Sequence, residues 1–182
     1  VYKIHIRKKG NMINLYIDFD GVIKDTISVS YKMMADTGIN MKNKAEIIKF
    51  YQDIDWVDLL DKSEELNKAF QWIDKIIEEG IFRPAILTTV NSLGEMIAKT
   101  NYVRSKNNQI SIICVPSGIE KNKVVNAFNA ILVDDYSGNL LNWSKAGGIS
   151  IKYGYDKDYV SINSLDYFVS KGISKKLEPV LQ

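Results

Sequence analysis

The chain holds a single cysteine and a single histidine, and these two scarcities remove several classes of chemistry. With only Cys114, an internal disulfide is excluded and a reducing, cytoplasmic setting is expected. Cys114 lies in the apolar run Ile110-Ser111-Ile112-Ile113-Cys114-Val115, so it reads as a buried, inert thiol. The lone His5 sits in the N-terminal tail, which leaves zinc sites and histidine-dependent triads poorly supplied. Charge of one sign is also lacking: the net charge is +2, and only Arg7-Lys8-Lys9 clusters lysine or arginine, as a solvated tail would. No strong field therefore draws the chain to a nucleic acid polymer or to a membrane surface. No apolar stretch reaches the roughly 20 residues of a membrane span. No continuous apolar segment near the N-terminus resembles a secretory signal. A small molecule is the expected partner, and the oligomeric state is left open.

What is present is an ordinary globular composition, 46% hydrophobic and 25% charged, in 182 residues, enough for one core with a small insertion. Residues 1–11 read as an N-terminal extension or tag, because Met12 would make a normal start one strand before the first motif. Tyr2-Lys3-Ile4-His5-Ile6 alternates and is the other option there, an edge strand. Five short apolar runs follow: Ile13–Ile17, Ala85–Leu87, Ile110–Val115, Ala130–Val133 and Gly148–Tyr153. Helix-like segments separate them, which predicts an α/β fold with a parallel sheet. Ser92-Leu93-Gly94-Glu95 is a capping box opening a helix through about Ser105. Ser117-Gly118 precedes a short helix carrying Val124, Val125 and Phe128. Ser164 can cap a last helix through Val169, with Gly172 beyond it.

Residues 26–80 hold no convincing strand. Leu66, Ala69, Phe70, Ile73, Ile76 and Ile77 share one helical face, with Asp61 and Glu64 at the start and Gly80 at the end. Ile27, Tyr31 and Met34 suggest a helix ending near Gly38, and residues 45–51 another. The expected architecture is a three-layer Rossmann-like core, residues 12–25 and 81–182, with a helical cap of residues 26–80 between strands one and two.

The most informative segment is Asp18-Phe19-Asp20-Gly21-Val22, directly after the apolar run Ile13–Ile17. Two carboxylates at the end of a buried strand need a cation, a proton or hydrogen-bond donors. Gly21 lets the chain turn sharply and approach a ligand closely. In open α/β sheets, ligands bind at the carboxyl ends of strands. Thr88-Thr89 follows the second run and Asp134-Asp135 the fourth, with Lys121-Asn122-Lys123 just before the fourth. Each has a plainer use when taken alone. Asp18 and Asp20 can form a structural cation site, Thr88 can end a strand, and Lys123 can sit on a solvated helix. Asp134-Asp135 can open a turn before Gly138-Asn139.

Taken in order, these segments resemble the four motifs of the haloacid dehalogenase (HAD) superfamily of phosphohydrolases. Leu15-Tyr16-Ile17-Asp18-Phe19-Asp20-Gly21-Val22 resembles the first motif, Ile86-Leu87-Thr88-Thr89 the second and Ile131-Leu132-Val133-Asp134-Asp135 the fourth. Lys123 matches the third, and Lys121 is an equal candidate by residue type. The subfamily most resembled is the 5′-nucleotidase of the deoxyribonucleotidase type, with an Asp-x-Asp-Gly-Val start and a helical insertion at the cap position.

The resemblance implies a magnesium-dependent hydrolase of phosphomonoesters, with a nucleoside 5′-monophosphate as favoured substrate. Another small phosphorylated metabolite, or an idle phosphate-binding regulatory module on the same fold, is the alternative. Asp18 would be the nucleophile and Asp20 the general acid and base. Thr88, Thr89 and Lys123 would bind phosphate. Asp18, the Asp20 carbonyl and Asp135 would hold Mg2+, with Asp134 behind or alternating with Asp135. Asn139 either supports that metal set or merely stays in a turn. Tyr51 and Trp56 either stack on a nucleobase or pin the cap together.

Overall fold

A computed structural model describes residues 12–169. The readings placed on the first eleven residues and on Gly172 lie outside that range. Six strands form one parallel sheet in the order β3-β2-β1-β4-β5-β6. They are β1 (Ile13–Ile17), β2 (Phe82–Val90), β3 (Ser111–Pro116), β4 (Ile131–Asp134), β5 (Ile149–Tyr153) and β6 (Val160–Ile162). The expected α/β class and parallel sheet are observed. The sixth strand is an addition: Val160-Ser161-Ile162 is three residues long at the sheet edge, too short to show alternation.

The helices are α1 (Thr26–Asp36), α2 (Lys44–Asp53), α3 (Trp56–Lys62), α4 (Ala69–Glu79), α5 (Leu93–Lys106), α6 (Lys121–Val124) and α7 (Ser137–Lys145). Among the described residues none is long and apolar enough to cross a membrane. Several boundaries differ from the sequence reading. Helix α4 starts at Ala69 because Asn67 and Lys68 adopt left-handed backbone angles, φ 46° and 59°, which break any continuation from Asp61. Asp61 belongs instead to α3. Helix α6 stops at Val124, and Phe128 is exposed rather than on its buried face. The final helix is a single 3₁₀ turn, Leu165–Phe168, capped as expected by Ser164, which accepts from Asp166 N at 3.3 Å. Gly138-Asn139 is not a turn but the first turn of α7.

Two apolar layers enclose the sheet. Leu15 and Ile17 of β1, Ile86 of β2 and Ile131 and Val133 of β4 point into the larger one. Tyr16, Leu87 and Leu132 alternate onto the other face, against Leu140 and Trp143 of α7. Such two-sided burial is why these strands read as near-continuous apolar runs.

The helices of the insertion, residues 26–80, differ in what they pack against. Phe70, Ile73 and Ile76 of α4 are buried in the larger core, and α4 packs on β2 and the 3₁₀ turn. Trp56, Leu59 and Leu60 of α3 join the same core, and α3 packs on α5. Helix α1 packs on α3 and buries Met34, while α2 buries no residue and sets Tyr51 against the same core.

Trp143 anchors the second layer. It is fully buried, donates from Nε1 to the Ala130 carbonyl at 3.0 Å and meets Tyr16 edge-on at 5.4 Å. A Cβ on Gly148 would collide with its indole. Trp143→Ala should cost about 3–5 kcal/mol in urea denaturation, the usual range for emptying a large aromatic site. A loss below about 1 kcal/mol would contradict this packing.

Candidate active site

The register of the sheet brings the chemical groups together. Ile17 pairs with Val133 of β4 and Ile86 of β2, so β1 ends beside the end of β4 while β2 runs on through Thr88 and Thr89 to Val90. The Asp18 N–H donates to the Val133 carbonyl at 2.9 Å, fixing Asp18 beside Asp134. Ligand atoms of Asp18, Asp134 and Asp135 all lie within 4.8 Å of one another.

Asp18 is 7% exposed. Its Oδ1 lies 2.7 Å from Lys121 Nζ, an ion pair by distance. The angle is poor, however, and this buried oxygen is left without a hydrogen bond. Lys121 also reaches Asp134 Oδ2 at 2.7 Å. Burial raises the Asp18 pKa to about 8, with Asp134 and Asp20 adding to the shift and Lys121 opposing it. Burial works against the charge of Lys121, but Asp18 and Asp134 outweigh it and its pKa is raised.

The two carboxylates of Asp134-Asp135 differ in their surroundings. Asp134 is fully buried and saturated by protein donors: Lys121 Nζ, Asn139 Nδ2 at 3.0 Å and the Tyr136 N–H at 2.8 Å. Asn139 therefore supports the acidic cluster from α7. Asp135 is half-buried, and among the described residues no hydrogen bond reaches its carboxylate. Lys152 of β5 holds its backbone carbonyl instead. Burial first, then Asp134 and Asp20, push the Asp135 pKa up to about 6. Gly21, at φ +70°, passes so close to the Asp135 carboxylate that a Cβ there would collide with it.

This donor set fits a hard divalent cation. All the ligand atoms are carboxylate oxygens, and one buried oxygen of Asp18 lacks a hydrogen bond. Asp18 and Asp135 are the members available to a metal. The Asp20 side chain lies outside this triad, so any part it takes in holding a metal falls to its backbone carbonyl.

Of the two candidate lysines, the structure brings Lys121 to the carboxylates and leaves Lys123 outside them. Lys121 is 3% exposed between two carboxylates, while Lys123 is exposed. Residues two apart on a helical turn face nearly opposite ways, so only one of the pair can enter the site. Nothing in the tripeptide Lys121-Asn122-Lys123 distinguishes them beforehand.

Asp20 is held by two groups. Thr26, the first residue of α1, donates to its Oδ1 at 2.7 Å. Lys99 of α5 pairs with its Oδ2 at 2.5 Å. Lys99 is fully buried and also reaches Glu95 Oε1 at 2.6 Å, Thr88 Oγ1 at 3.1 Å and the Thr89 carbonyl at 3.2 Å. Burial opposes its charge, yet Asp20 and Glu95 raise its pKa above the ordinary lysine value. Thr88 is thus fully buried in the site, whereas Thr89 is half-buried and contributes its carbonyl to Lys99.

The capping box is modified to serve this contact. Ser92 accepts from Glu95 N at 3.1 Å as expected. Glu95, however, turns to the Asn91 N–H at 2.7 Å and to Lys99. Glu95 and Lys99 were missed from sequence because a Glu–Lys pair four residues apart is the usual mark of a solvated helix face.

Trp56 is 5% exposed, stacks with Tyr51 at 6.0 Å between ring centroids and covers Lys99 at 4.8 Å. Its Nε1 donates to the Tyr51 carbonyl at 2.9 Å. The Tyr51 hydroxyl meets Ser30 Oγ at 2.9 Å. Of the two uses considered, this pair pins α2 and α3 together and leaves Trp56 no free face for a base.

The raised pKa of Asp18 has a measurable consequence. The folded chain binds that proton more tightly than the unfolded chain, whose value is near 3.8. Between about pH 4 and pH 8 the folded state therefore carries the excess proton, and stability falls as pH rises. In chelator, Asp18→Asn should flatten this slope in urea denaturation across that window. An unchanged slope would contradict the burial assigned to Asp18.

No protein-family model matches the chain, and no curated protein matches it. Solved structures do resemble it. A HAD-superfamily hydrolase of subfamily IA from Geobacter sulfurreducens matches with a TM-score of 0.56 at 12% identity, over 88% of this chain and 96% of that one. A HAD-hydrolase from Bacillus subtilis bound to magnesium matches with 0.57 at 12%, over 95% and 100%. A D,D-heptose 1,7-bisphosphate phosphatase from Burkholderia thailandensis matches with 0.52 at 11%, over 89% and 99%. At these identities the likeness establishes a shared fold, the Rossmann-like α/β fold of HAD hydrolases.

Proposed function

We propose that this chain is a magnesium-dependent phosphomonoester hydrolase that acts through an aspartyl-phosphate on Asp18. The observation that carries the reading is the cluster at the ends of β1 and β4, where Asp18, Lys121, Asp134 and Asp135 meet. The shared fold with hydrolases, one of them magnesium-bound, supports it.

A phosphate monoester repels an anionic nucleophile, so cationic groups must meet its oxygens. Lys121 supplies one such charge, beside the attacking Asp18 oxygen. A magnesium ion held by Asp18, the Asp20 carbonyl and Asp135 would supply the rest and keep Asp18 ionised. Asp18 then attacks phosphorus in line, forming a P–O bond as the ester P–O bond breaks. Asp20 gives a proton to the leaving alcohol and later takes one from the attacking water. The Thr88 hydroxyl donates to a non-bridging oxygen. Asp134 holds Lys121 and leaves Asp135 free to bind.

Nucleoside 5′-monophosphates are the first substrates to test, on the strength of the motif resemblance, with other small phosphomonoesters alongside. An idle phosphate-binding module would have no use for the second carboxylate, Asp20. The test is turnover of p-nitrophenyl phosphate in magnesium and after exhaustive chelation. Activity should require the metal and return when it is restored. Full activity after chelation would sink the metal-dependent reading.

A further inference from the structure

Lys99 makes a set of contacts that the phosphatase reading does not itself require. It touches the general acid–base Asp20 on one side and the phosphate-binding Thr88 on the other, at 2.5 Å and 3.1 Å. Its ammonium has three protons and no acceptor. Four oxygens compete for those protons: Asp20 Oδ2, Glu95 Oε1, Thr88 Oγ1 and the Thr89 carbonyl. The group is therefore fully engaged and cannot itself bind substrate.

Two consequences follow for the reacting groups. Because Lys99 can only donate, it occupies a lone pair of Thr88 Oγ1. The Thr88 proton then has only a long 3.4 Å contact to the Thr89 carbonyl, although Thr88 is fully buried and a phosphate oxygen would have to enter beside it. The Asp20 carboxylate, gripped by Lys99 at one oxygen and Thr26 at the other, is fixed in orientation. Glu95 in turn fixes Lys99, and is itself held by the N–H and side chain of Asn91 at 2.7 Å and 3.1 Å. The chain of contacts runs from Asn91, just before α5, through the buried Glu95 and Lys99 to both working groups.

We propose that Lys99, anchored by Glu95, is a positioning residue that aims Asp20 for proton transfer and Thr88 for phosphate binding. The inference rests on the phosphatase reading. The plainer rival is a buried ion pair that only ties α5 to the site. The two differ in what happens when both charges are removed together. Replacing a buried pair by neutral groups of similar volume is often neutral for stability, whereas removing one partner is not.

The experiment uses the double variant Glu95→Gln/Lys99→Met, with Asp20→Asn and the wild type alongside. Each is assayed in magnesium for kcat and KM on p-nitrophenyl phosphate and on an alkyl phosphate with a poor leaving group. The double variant neutralises the buried Glu95–Lys99 pair but takes the cation from the partly exposed Asp20, so it should stay folded and melt somewhat below the wild type. It should lose about 10²-fold in kcat on the alkyl ester but only about tenfold on p-nitrophenyl phosphate, the same selective pattern that Asp20→Asn shows more strongly, because a good leaving group needs little protonation. Wild-type kcat on both esters, or an equal loss on both, would overturn the proposal. Should the double variant fail to fold, Glu95→Gln alone keeps its acceptor for Lys99 and should show the selective loss in milder form. Wild-type behaviour of a folded Glu95→Gln would then overturn it. An active wild type beside an unaffected variant removes only the role of Lys99. A wild type inactive on every ester removes the phosphatase reading and this proposal with it.

Discussion

Asp18→Asn is expected to abolish turnover while leaving the protein folded. Asparagine matches aspartate in shape but offers no anionic oxygen to attack phosphorus, so the covalent route closes. Loss of a covalent nucleophile costs on the order of 10⁴–10⁶-fold in kcat. The variant should nonetheless be at least as stable as the wild type in chelator. Asp18 is 7% exposed, its Oδ1 lacks a hydrogen bond, and burial already drives its pKa to about 8. Removing that charge relieves the fold while it disables the chemistry. Wild-type stability or better, together with absent turnover, separates a lost nucleophile from a lost structure. Retained activity above about one hundredth of wild type would show that another group attacks.

The second large effect separates the two lysines of α6. Lys121→Met leaves Asp18 and Asp134 buried without their shared cation, both 2.7 Å from it in the wild type. Breaking a buried pair in this way costs about 3–5 kcal/mol. Activity should fall by at least about 10²-fold, since a charge aimed at the transferring group is lost. Excess magnesium should restore part of the stability, because the ion offsets the same carboxylates. Lys123→Met, at an exposed position, should stay within about 0.5 kcal/mol of wild type and keep its kcat. Urea denaturation and initial rates of both variants check this. The reverse pattern, with Lys123 essential and Lys121 dispensable, would mean that α6 is rotated relative to the site described.

How much of this was legible beforehand depended on how local each signal is. The strand Ile13–Ile17 and its acidic end were readable because the run is apolar apart from Asn14, and a carboxylate after it stands out. The same logic found Asp134 and Asp135. Helix α5 was readable from Ser92, whose cap is a contact within four residues. Lys121 and Lys123 could not be separated, because which face of a one-turn helix meets the sheet is a tertiary fact. Lys99 was invisible for the same reason: its burial is created by Trp56 and Phe19, 43 and 80 residues earlier in the chain. Helix α3, seven residues long, is too short to display a period, so the sequence leaves Trp56 open between stacking on a base and pinning the cap. The insertion is legible as helical from its apolar stripes, whereas the packing of α4 on β2 depends on left-handed turns at Asn67 and Lys68, residues with no strong turn signature as a pair.

The central claim is that phosphate passes through Asp18. It is tested most directly by quenching the enzyme in acid during turnover of a phosphomonoester in magnesium, digesting it and locating the phosphorylated peptide. The account predicts a hydroxylamine-labile phosphate on the peptide containing Asp18, absent from Asp18→Asn. A phosphate found on another residue, or steady turnover with no covalent phosphate at any quench time, would contradict it.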